Sequence, residues 1–390
     1  MYIDTQESLE ELIAVFARAD FMTIDTEFLH DKTYYPKLCL IQIATEDVEA
    51  IIDPLASLDL SPLKRVLTDE RIMKVFHAGV QDCTVLYNIL GTPVRPIFDI
   101  QHAMLLLGQS QQISLAAVVR QYCDVSLKKV ESYSDWSQRP LTEEQISYAI
   151  DDVRYLPAVY RKIVLELEAS GRLDWLKDDF RHLEEESYYV IDDRSLWKKL
   201  KGVRSLTGQQ LAIARELCSW REMVAQSSDL PRKWILPDDF IIELSRRSVD
   251  TLEDIYKIRG VKRRLNQNLV KSLLDSVARG KREPQANWPV HDRAPLSVAG
   301  ITAKIDLMTA LLHFRAKESS VATSYLCSHE DLVRLASGKR EGLAVLEGWR
   351  ADLIGNELMQ LLDGDLSLTL KGDDLKVTLL SQAGMNTANR

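Results

Sequence analysis

The alternation of hydrophobic and polar residues divides the first half of the chain into strand-like and helix-like segments. Helical spacings of three and four residues surround the strand-like runs and continue to about residue 178. Because the first three strand-like runs follow one another closely, we expect a mixed sheet with a three-stranded antiparallel start, in an α/β domain flanked by helices. The predicted strands lie at 21–28, 38–44, 48–52, 72–76 and 97–100.

The first helix has a possible start signal near the N-terminus. Ser8 and Glu11 have the spacing of a capping box, and Leu9 and Leu12 begin a helical stripe of apolar residues. This pattern predicts that the helix begins at Ser8.

Beyond residue 178 the sequence is mostly helical and contains a weak internal repeat. Trp220 and Arg221 parallel Phe314 and Arg315, which indicates two related helical modules. Alternating residues at 366–380 predict a β-hairpin appended to the second module. The predicted boundaries are 1–178 for the α/β domain, 179–205 for a linker, 206–283 for the first module, 284–300 for a second linker and 301–390 for the second module.

Composition is that of an ordinary globular protein. The 390 residues are 46% hydrophobic and 27% charged, and no apolar run has membrane-spanning length. The five cysteines are scattered, and the N-terminus is acidic and polar, so we expect reduced thiols, no signal peptide and a cytoplasmic location. A net charge of −9 argues mildly against a nucleic-acid partner when it is taken alone.

Four acidic residues and one tyrosine are the strongest candidates for chemistry. Asp25 and Glu27 are two apart in a predicted strand, so both side chains leave the same face. Tyr148 and Asp152 are four apart in a helical segment and also share a face. Asp82 lies near the start of another helix. A fold that joins these faces would form a cluster of oxygen ligands that suits Mg²⁺ or Mn²⁺ and not zinc.

Each of these residues also has an ordinary structural interpretation. A single acid is most often solvated surface, Tyr148 fits an amphipathic helix, and Asp152 resembles its neighbour Asp151. Asp25 and Glu27 are harder to explain this way, because strands disfavour Asp and two close carboxylates repel each other. Periodicity alone leaves these alternatives open.

The sequence around these residues resembles that of a known protein family over residues 21–160. IDTEF, FHAGVQDCTVL and YAIDDV resemble, in order, the three motifs of the DEDD family of 3′→5′ exonucleases. SLAAVVRQYC and DWSQRPL are similar to its ribonuclease D branch, and Tyr148 four residues before the last Asp implies the tyrosine subclass, DEDDy. The resemblance implies a ribonuclease H-like mixed sheet.

The helical half carries a second resemblance. WKKLKG followed by LCSWREMVAQSSDLPRKWIL is similar to the helicase-and-RNase-D C-terminal (HRDC) domain. The second module resembles the divergent second copy of that domain in the ribonuclease D branch. The predicted terminal hairpin departs from this pattern.

The resemblance implies a two-metal mechanism of phosphodiester hydrolysis. Asp25, Glu27, Asp82 and Asp152 would hold two Mg²⁺ or Mn²⁺ ions about 4 Å apart, and Tyr148 would orient the attacking water. It further implies an enzyme that trims RNA from a free 3′ end, above all precursor tRNA, and releases 5′-mononucleotides. We expect the protein to be a monomer.

A basic segment is the strongest candidate for RNA binding outside the catalytic residues. Residues 257–282 contain nine Lys or Arg and one acid, a local positive field in an acidic chain. Tyr34 and Tyr35 have the aromatic rings to stack on terminal bases, with core packing favoured for at least one, and His77 is a weaker phosphate candidate. The basic candidates are Lys257, Arg259, Lys262, Arg263, Arg264 and Lys271.

Two other functions remain open on the sequence. A DNA 3′→5′ exonuclease of the Werner or proofreading type would use the same site, because the metals act on phosphate and not on sugar. A catalytically silent nucleic-acid-binding adaptor would keep the fold, although the complete set of four carboxylates and Tyr148 argues against it. The tandem HRDC-like modules favour RNA.

Overall fold

The N-terminal domain is built on one mixed sheet. The structure, a computed structural model, describes residues 1–109, 113–127, 134–247, 249–258, 266–291, 300–372 and 374–380. The strand order is β1-β4-β3-β2-β5-β6. The strands are β1 (Tyr2–Ile3), β2 (Phe21–Leu29), β3 (Lys37–Ala44), β4 (Glu49–Ile52), β5 (Met73–Phe76) and β6 (Ile97–Asp99).

The pairing of the strands confirms the predicted sheet. Strands β2, β3 and β4 pair antiparallel, whereas β1 pairs parallel with β4, and β5 pairs parallel with both β2 and β6. The sequence pattern does not predict β1, because two residues are too few to show alternation. The central strands are buried on both faces by helices, which explains their nearly continuous apolar runs.

Helices cover this sheet and form the rest of the molecule. No helix in the described ranges is both long and apolar enough to cross a bilayer. Those of the N-terminal half are α1 (Gln6–Phe16), α2 (Leu63–Leu67), α3 (Val80–Leu90), α4 (Ile100–Leu106), α5 (Leu115–Cys123), α6 (Glu143–Arg154), α7 (Leu156–Ala169), α8 (Leu173–Phe180) and α9 (Glu186–Tyr189).

The predicted start of α1 is wrong by one turn. Thr5 is the N-cap, and its hydroxyl accepts a hydrogen bond from the backbone N–H of Ser8 at 3.4 Å. Ser8 is therefore the third helical residue and not the cap. The helix begins earlier because Thr5 has the same capping chemistry three residues upstream.

The two helical modules repeat the same order of elements. Each has a long helix, a four-residue helix and an amphipathic helix, followed by two further helices. The first module contains α10 (Gln209–Ser228), α11 (Arg232–Ile235), α12 (Asp238–Arg247), α13 (Leu252–Tyr256) and α14 (Gln267–Arg282). The second contains α15 (Thr302–Ser319), α16 (Thr323–Leu326), α17 (His329–Ala336), α18 (Gly348–Arg350) and α19 (Asn356–Asp363).

The segment predicted as the first linker is folded: its first part packs in the core of the α/β domain, and its second part packs on the first module. It forms short helical turns, and Trp197, Leu200 and Val203 are buried in the same core as Leu217 and Trp220. Such turns are too short to show helical periodicity, which explains the weak pattern.

The second module packs directly on the α/β domain and shares its hydrophobic core. The rings of Trp175 and Trp349 stack with centroids 4.5 Å apart, and Arg350 forms an ion pair with Asp179 at 2.6 Å. The predicted hairpin is confirmed as β7 (Leu366–Lys371) and β8 (Asp374–Leu379), which pair antiparallel.

The ion pair between Asp179 and Arg350 is a stability test of this docking. Both side chains are almost buried, at 12% and 13% exposed. Asp179→Asn would leave the guanidinium without its counter-charge, so we expect a loss of about 3 kcal/mol in the free energy of unfolding. Urea denaturation measures this loss. Glu243→Gln, in an exposed pair with Arg247, is the control and should cost less than about 0.5 kcal/mol. Equal effects of the two changes would contradict the assignment.

Candidate active site

Strand β2 carries the first two carboxylates. Asp25 and Glu27 lie opposite Gln42 and Leu40 of β3, and the register shifts immediately after Glu27. The alternation of the strand places both carboxylates on one face, as the sequence predicts. This end of β2 therefore presents two acids side by side at the point where regular pairing with β3 changes.

Asp82 reaches the same strand from helix α3. Strand β5 pairs with β2 only as far as Thr23, which leaves the backbone N–H of Thr26 at an open edge. One oxygen of Asp82 accepts a hydrogen bond from that N–H at 3.1 Å and another from the Thr26 hydroxyl. Burial raises the pKa of Asp82, although the bonds from Thr26 oppose this effect. Asp82 is thus fixed to Thr26, the residue that lies between Asp25 and Glu27 in the chain.

A tight turn between β5 and α3 sets the position of Asp82. The carboxylate of Asp99, at the end of β6, accepts hydrogen bonds from the N–H groups of Ala78 and Gly79 at 3.1 and 2.7 Å. Gly79 is required here because a Cβ atom would lie 2.3 Å from the Cβ of Phe76. The turn brings α3 close enough for its first turn to meet β2.

Helix α6 supplies the remaining two residues. A capping box formed by Thr142 and Gln145 fixes its start. Near its end, the hydroxyl of Thr23 lies 3.1 Å from the carbonyl oxygen of Val153 and donates to it, which ties the helix to β2. The four-residue spacing places Tyr148 and Asp152 together, close enough for each side chain to shift the pKa of the other.

Strand β2 and helix α6 bring three of the carboxylates into a compact, partly buried cluster. Asp25, Glu27 and Asp152 offer oxygen atoms that all lie within 4.8 Å of one another. Burial and the neighbouring carboxylates raise the pKa of Asp25 well above its usual range and that of Glu27 to about 8. Burial, together with Asp151, raises the pKa of Asp152 to about 7. The folded protein therefore disfavours the fully ionised cluster.

The donor set fits hard divalent cations. Buried carboxylates this close together can all be ionised only when positive charge neutralises them. All the ligand atoms are carboxylate oxygens, which is the chemistry of Mg²⁺ and Mn²⁺ sites and lacks the nitrogen or sulfur typical of zinc. Asp82 lies outside this set of three acids, and its role as a fourth ligand stays a prediction.

Tyr148 is a half-buried hydroxyl at the edge of this cluster. Its ring lies against the buried Trp136, with centroids 6.0 Å apart. Burial and the charges of Asp152, Glu27 and Asp25 raise the pKa of Tyr148 above its ordinary value. The phenol therefore stays protonated at neutral pH, where it can hold a water molecule but does not remove its proton.

The other candidates lie outside the carboxylate cluster. One ring nitrogen of His77 lies 3.1 Å from the carbonyl oxygen of Ile113, and the side chain is mostly enclosed. The hydroxyl of Tyr34 faces away from the site and bonds to Glu222 and Arg232 of the first helical module. RNA binding by Tyr34 and His77 stays a prediction.

The structure describes only part of the basic segment at residues 257–282. Lys257 pairs with Asp254 at 2.9 Å, and Lys271 is exposed on α14. The remaining candidates, Arg259, Lys262, Arg263 and Arg264, lie outside the described residues.

Several residues that position the site escape sequence reasoning. Thr23, Thr26 and Asp99 act through hydrogen bonds to segments distant in the chain, and Trp136 packs against Tyr148. An acid inside the apolar run IFDI was the available signal for Asp99. The two threonines gave no such signal in the sequence, because Thr is common in strands.

Two family models match the chain. Residues 1–168 match a model described as 3′-5′ exonuclease, and residues 210–277 match the HRDC domain. The first range contains all five candidate catalytic residues. The second covers most of the first helical module.

Curated relatives and solved structures agree with these models. Proteins named ribonuclease D from Sphingobium indicum and a Jannaschia species are 35% and 36% identical to the chain, and each alignment covers 96% of this chain and 98% of the relative. The crystal structure of Escherichia coli RNase D, titled as an exoribonuclease involved in structured RNA processing, matches with a TM-score of 0.81 at 28% identity. That match covers 93% of this chain and 98% of the other. The catalytic core of RRP6 from Trypanosoma brucei matches with a TM-score of 0.51 at 26% identity, covering 72% and 79% of the two chains.

The raised pKa values predict how pH and metal affect stability. The clustered acids bind more protons in the folded state than in the unfolded state between about pH 4 and pH 8, so the free energy of unfolding falls as pH rises through this window. We expect the Tm in EDTA to fall over this range, and Mg²⁺ or Mn²⁺ to raise it more at pH 8 than at pH 5.5. Differential scanning fluorimetry measures both effects.

Asp25→Asn should raise the metal-free Tm at pH 8 and remove most of the metal-dependent increase. Asp47→Asn, at an exposed turn between β3 and β4, is the matched control. If the metal-dependent increase in Tm persisted in the Asp25→Asn protein, the cations would bind at another site.

Proposed function

Because this chain belongs to the ribonuclease D family of 3′→5′ exoribonucleases, we propose that it trims the 3′ ends of structured RNAs, above all precursor tRNA. The observation that carries the proposal is the convergence of Asp25, Glu27 and Asp152 beside Tyr148. The products would be 5′-mononucleotides, released one at a time from a free 3′-hydroxyl end. That the protein is a monomer and lies in the cytoplasm stays a prediction.

We assign two divalent cations to the four carboxylates. Asp25, Glu27 and Asp152 form the compact set, and Asp82 adds the free oxygen that Thr26 does not engage. When bound, Mg²⁺ or Mn²⁺ would supply a hydroxide at neutral pH and stabilise the charge that develops on the scissile phosphate.

The chain's own residues supply orientation and charge. Tyr148 keeps its proton, so its hydroxyl holds the attacking water in line with the scissile phosphorus and does not act as the base. Trp136 packs against the tyrosine ring and restricts its rotation. The ionised carboxylates repel the RNA phosphate until cations are present, so binding and chemistry at this site require metal together.

The helical modules are proposed to hold the folded body of the RNA while its single-stranded 3′ tail enters the site. The support is the basic sequence of residues 257–282 in a chain of net charge −9. Lys271 lies exposed on α14 in that segment. Contacts of this kind act on phosphates and carry affinity without reading the base sequence.

The decisive experiment is digestion of a tRNA with a 3′ extension, with product sizes read on a gel. We expect stepwise shortening with Mg²⁺ or Mn²⁺, none in EDTA, and a loss of about 100-fold or more for Tyr148→Phe, which removes the hydroxyl that positions the water. Tyr122→Phe, which removes a hydroxyl bonded to Glu166 in the same domain, is the control.

Three outcomes would contradict this proposal. Unchanged trimming by Asp25→Asn would mean that the site is wrong. Much faster loss of a matched DNA oligonucleotide would favour the DNA exonuclease. No metal-dependent activity of the wild-type chain on any 3′ tail would favour the silent adaptor.

The basic segment predicts a salt-dependent contribution to RNA affinity. Lys271→Ala should weaken tRNA binding and lower the slope of log K against log salt by about 1, because one phosphate contact is lost. Filter binding over a salt series measures the slope. Lys64→Ala, an exposed lysine of α2, is the control. Identical slopes for the two variants would show that Lys271 does not contact an RNA phosphate.

A further inference from the structure

A buried polar contact joins the first helical module to the loop between β2 and β3. The hydroxyl of Tyr34 donates to the carboxylate of Glu222, and it accepts hydrogen bonds from Gln226 and Arg232, both at 3.1 Å. Arg232 also donates to both carboxylate oxygens of Glu222, from Nε and Nη2, and its guanidinium lies 5.0 Å from the centre of the tyrosine ring. Glu222 is only 3% exposed, so its charge depends on these partners.

The backbone of the same loop is held as well. The carboxylate of Asp229, at the end of α10, accepts hydrogen bonds from the N–H groups of Tyr34 and Tyr35, both at 3.0 Å. These bonds connect residues almost 200 positions apart, as the separation of 195 between Tyr34 and Asp229 shows. The helical module therefore fixes both the side chain and the main chain at Tyr34.

The loop forms one wall of a cavity that opens from the catalytic cluster. The cavity has a volume of about 600 Å³ and begins at Glu27. Its walls include Leu29, Lys32 and Lys37 from the loop and its flanking strands, together with Trp136 and the acids Asp31 and Asp135. Trp136 is the residue that packs against Tyr148, so the cavity connects directly with the catalytic residues. Its size, the aromatic ring of Trp136 and its two lysines suit a nucleotide of the single-stranded tail, and its acids lie beside the metal-binding carboxylates of the proposed site.

We propose that Tyr34 is a positioning residue, which locks the wall of this cavity to the first helical module through Glu222 and Arg232. It acts on the RNA path without touching the RNA. This inference rests on the proposed function, because the wall matters only when a 3′ tail passes along it. The helical module then shapes the catalytic groove in addition to holding the body of the RNA.

Loss of the tyrosine hydroxyl would affect substrate binding more than chemistry. Without it, Glu222 loses a donor in a buried position and the loop loses its side-chain anchor, so the cavity wall samples more conformations. The proposed catalytic carboxylates lie on β2, α3 and α6, and these elements are held to one another independently of this contact. We therefore expect KM to rise with a smaller change in kcat.

Tyr34→Phe separates this role from stacking on an RNA base. Phenylalanine keeps the aromatic ring, so a stacking residue would tolerate the change, whereas a residue that acts through its hydroxyl would not. We expect Tyr34→Phe and Glu222→Gln each to raise KM for a single-stranded RNA tail by about tenfold, the factor that corresponds to about 1.4 kcal/mol. The double variant should be close to either single variant, because both break the same contact. Tyr122→Phe is the matched control, since it also removes a tyrosine–glutamate hydrogen bond but within one domain.

Trypsin cleavage after Lys32 reports on the loop without any activity measurement. Lys32 is 75% exposed and lies two residues before Tyr34. We expect cleavage there to be several-fold faster in the Tyr34→Phe and Glu222→Gln proteins than in the wild type and in Tyr122→Phe. This readout serves even if a variant loses all activity.

The outcomes distinguish this inference from the proposed function. If the wild-type protein trims RNA and Tyr34→Phe matches Tyr122→Phe in KM and in trypsin cleavage, the positioning role is wrong while the proposed function stands. A fall in kcat with unchanged KM would also overturn it. If the wild-type protein does not trim RNA but the cleavage rates differ as expected, the contact holds the loop and the proposed function fails.

Discussion

Mutual repulsion among buried carboxylates is the constraint on which the rest of the structure depends. Asp25, Glu27 and Asp152 lie within reach of a common cation, and burial together with neighbouring carboxylates raises their pKa values. Left to themselves these side chains would separate. They are held together because β2 and α6 are fixed by hydrogen bonds and packing that do not involve the carboxylates. The arrangement is unfavourable without metal and becomes favourable when cations bind, which links stability to function.

The supporting structure for this cluster comes from three directions. Asp99 holds the turn that aims α3 at β2, Asp82 caps the open edge of the strand, and Thr23 ties α6 to it. Beneath these polar bonds, the sheet shares one hydrophobic core with the second helical module. The burial of that core offsets the cost of an unfavourable charge cluster, in the way that active sites commonly depend on stability elsewhere.

The two helical modules are attached to the catalytic domain by different kinds of interaction. The second shares its apolar core and a nearly buried ion pair between Asp179 and Arg350, so it is a structural part of the domain. The first has a core of its own and meets the catalytic domain through the polar contact at Tyr34. A polar contact rearranges at a lower free-energy cost than an apolar core, so the first module is the more readily displaced of the two.

The sequence by itself determined the elements and the chemistry. Strand alternation placed Asp25 and Glu27 on one face, helical spacing paired Tyr148 with Asp152, and the motif order joined these residues to one family. Such patterns are local, so a single chain reveals them. Only the tertiary structure showed that Asp82 bonds to Thr26, and that Tyr34 faces Glu222 and not the catalytic cluster. These contacts join residues far apart in the chain, and no local periodicity records which distant partner a polar side chain will meet when the domains pack.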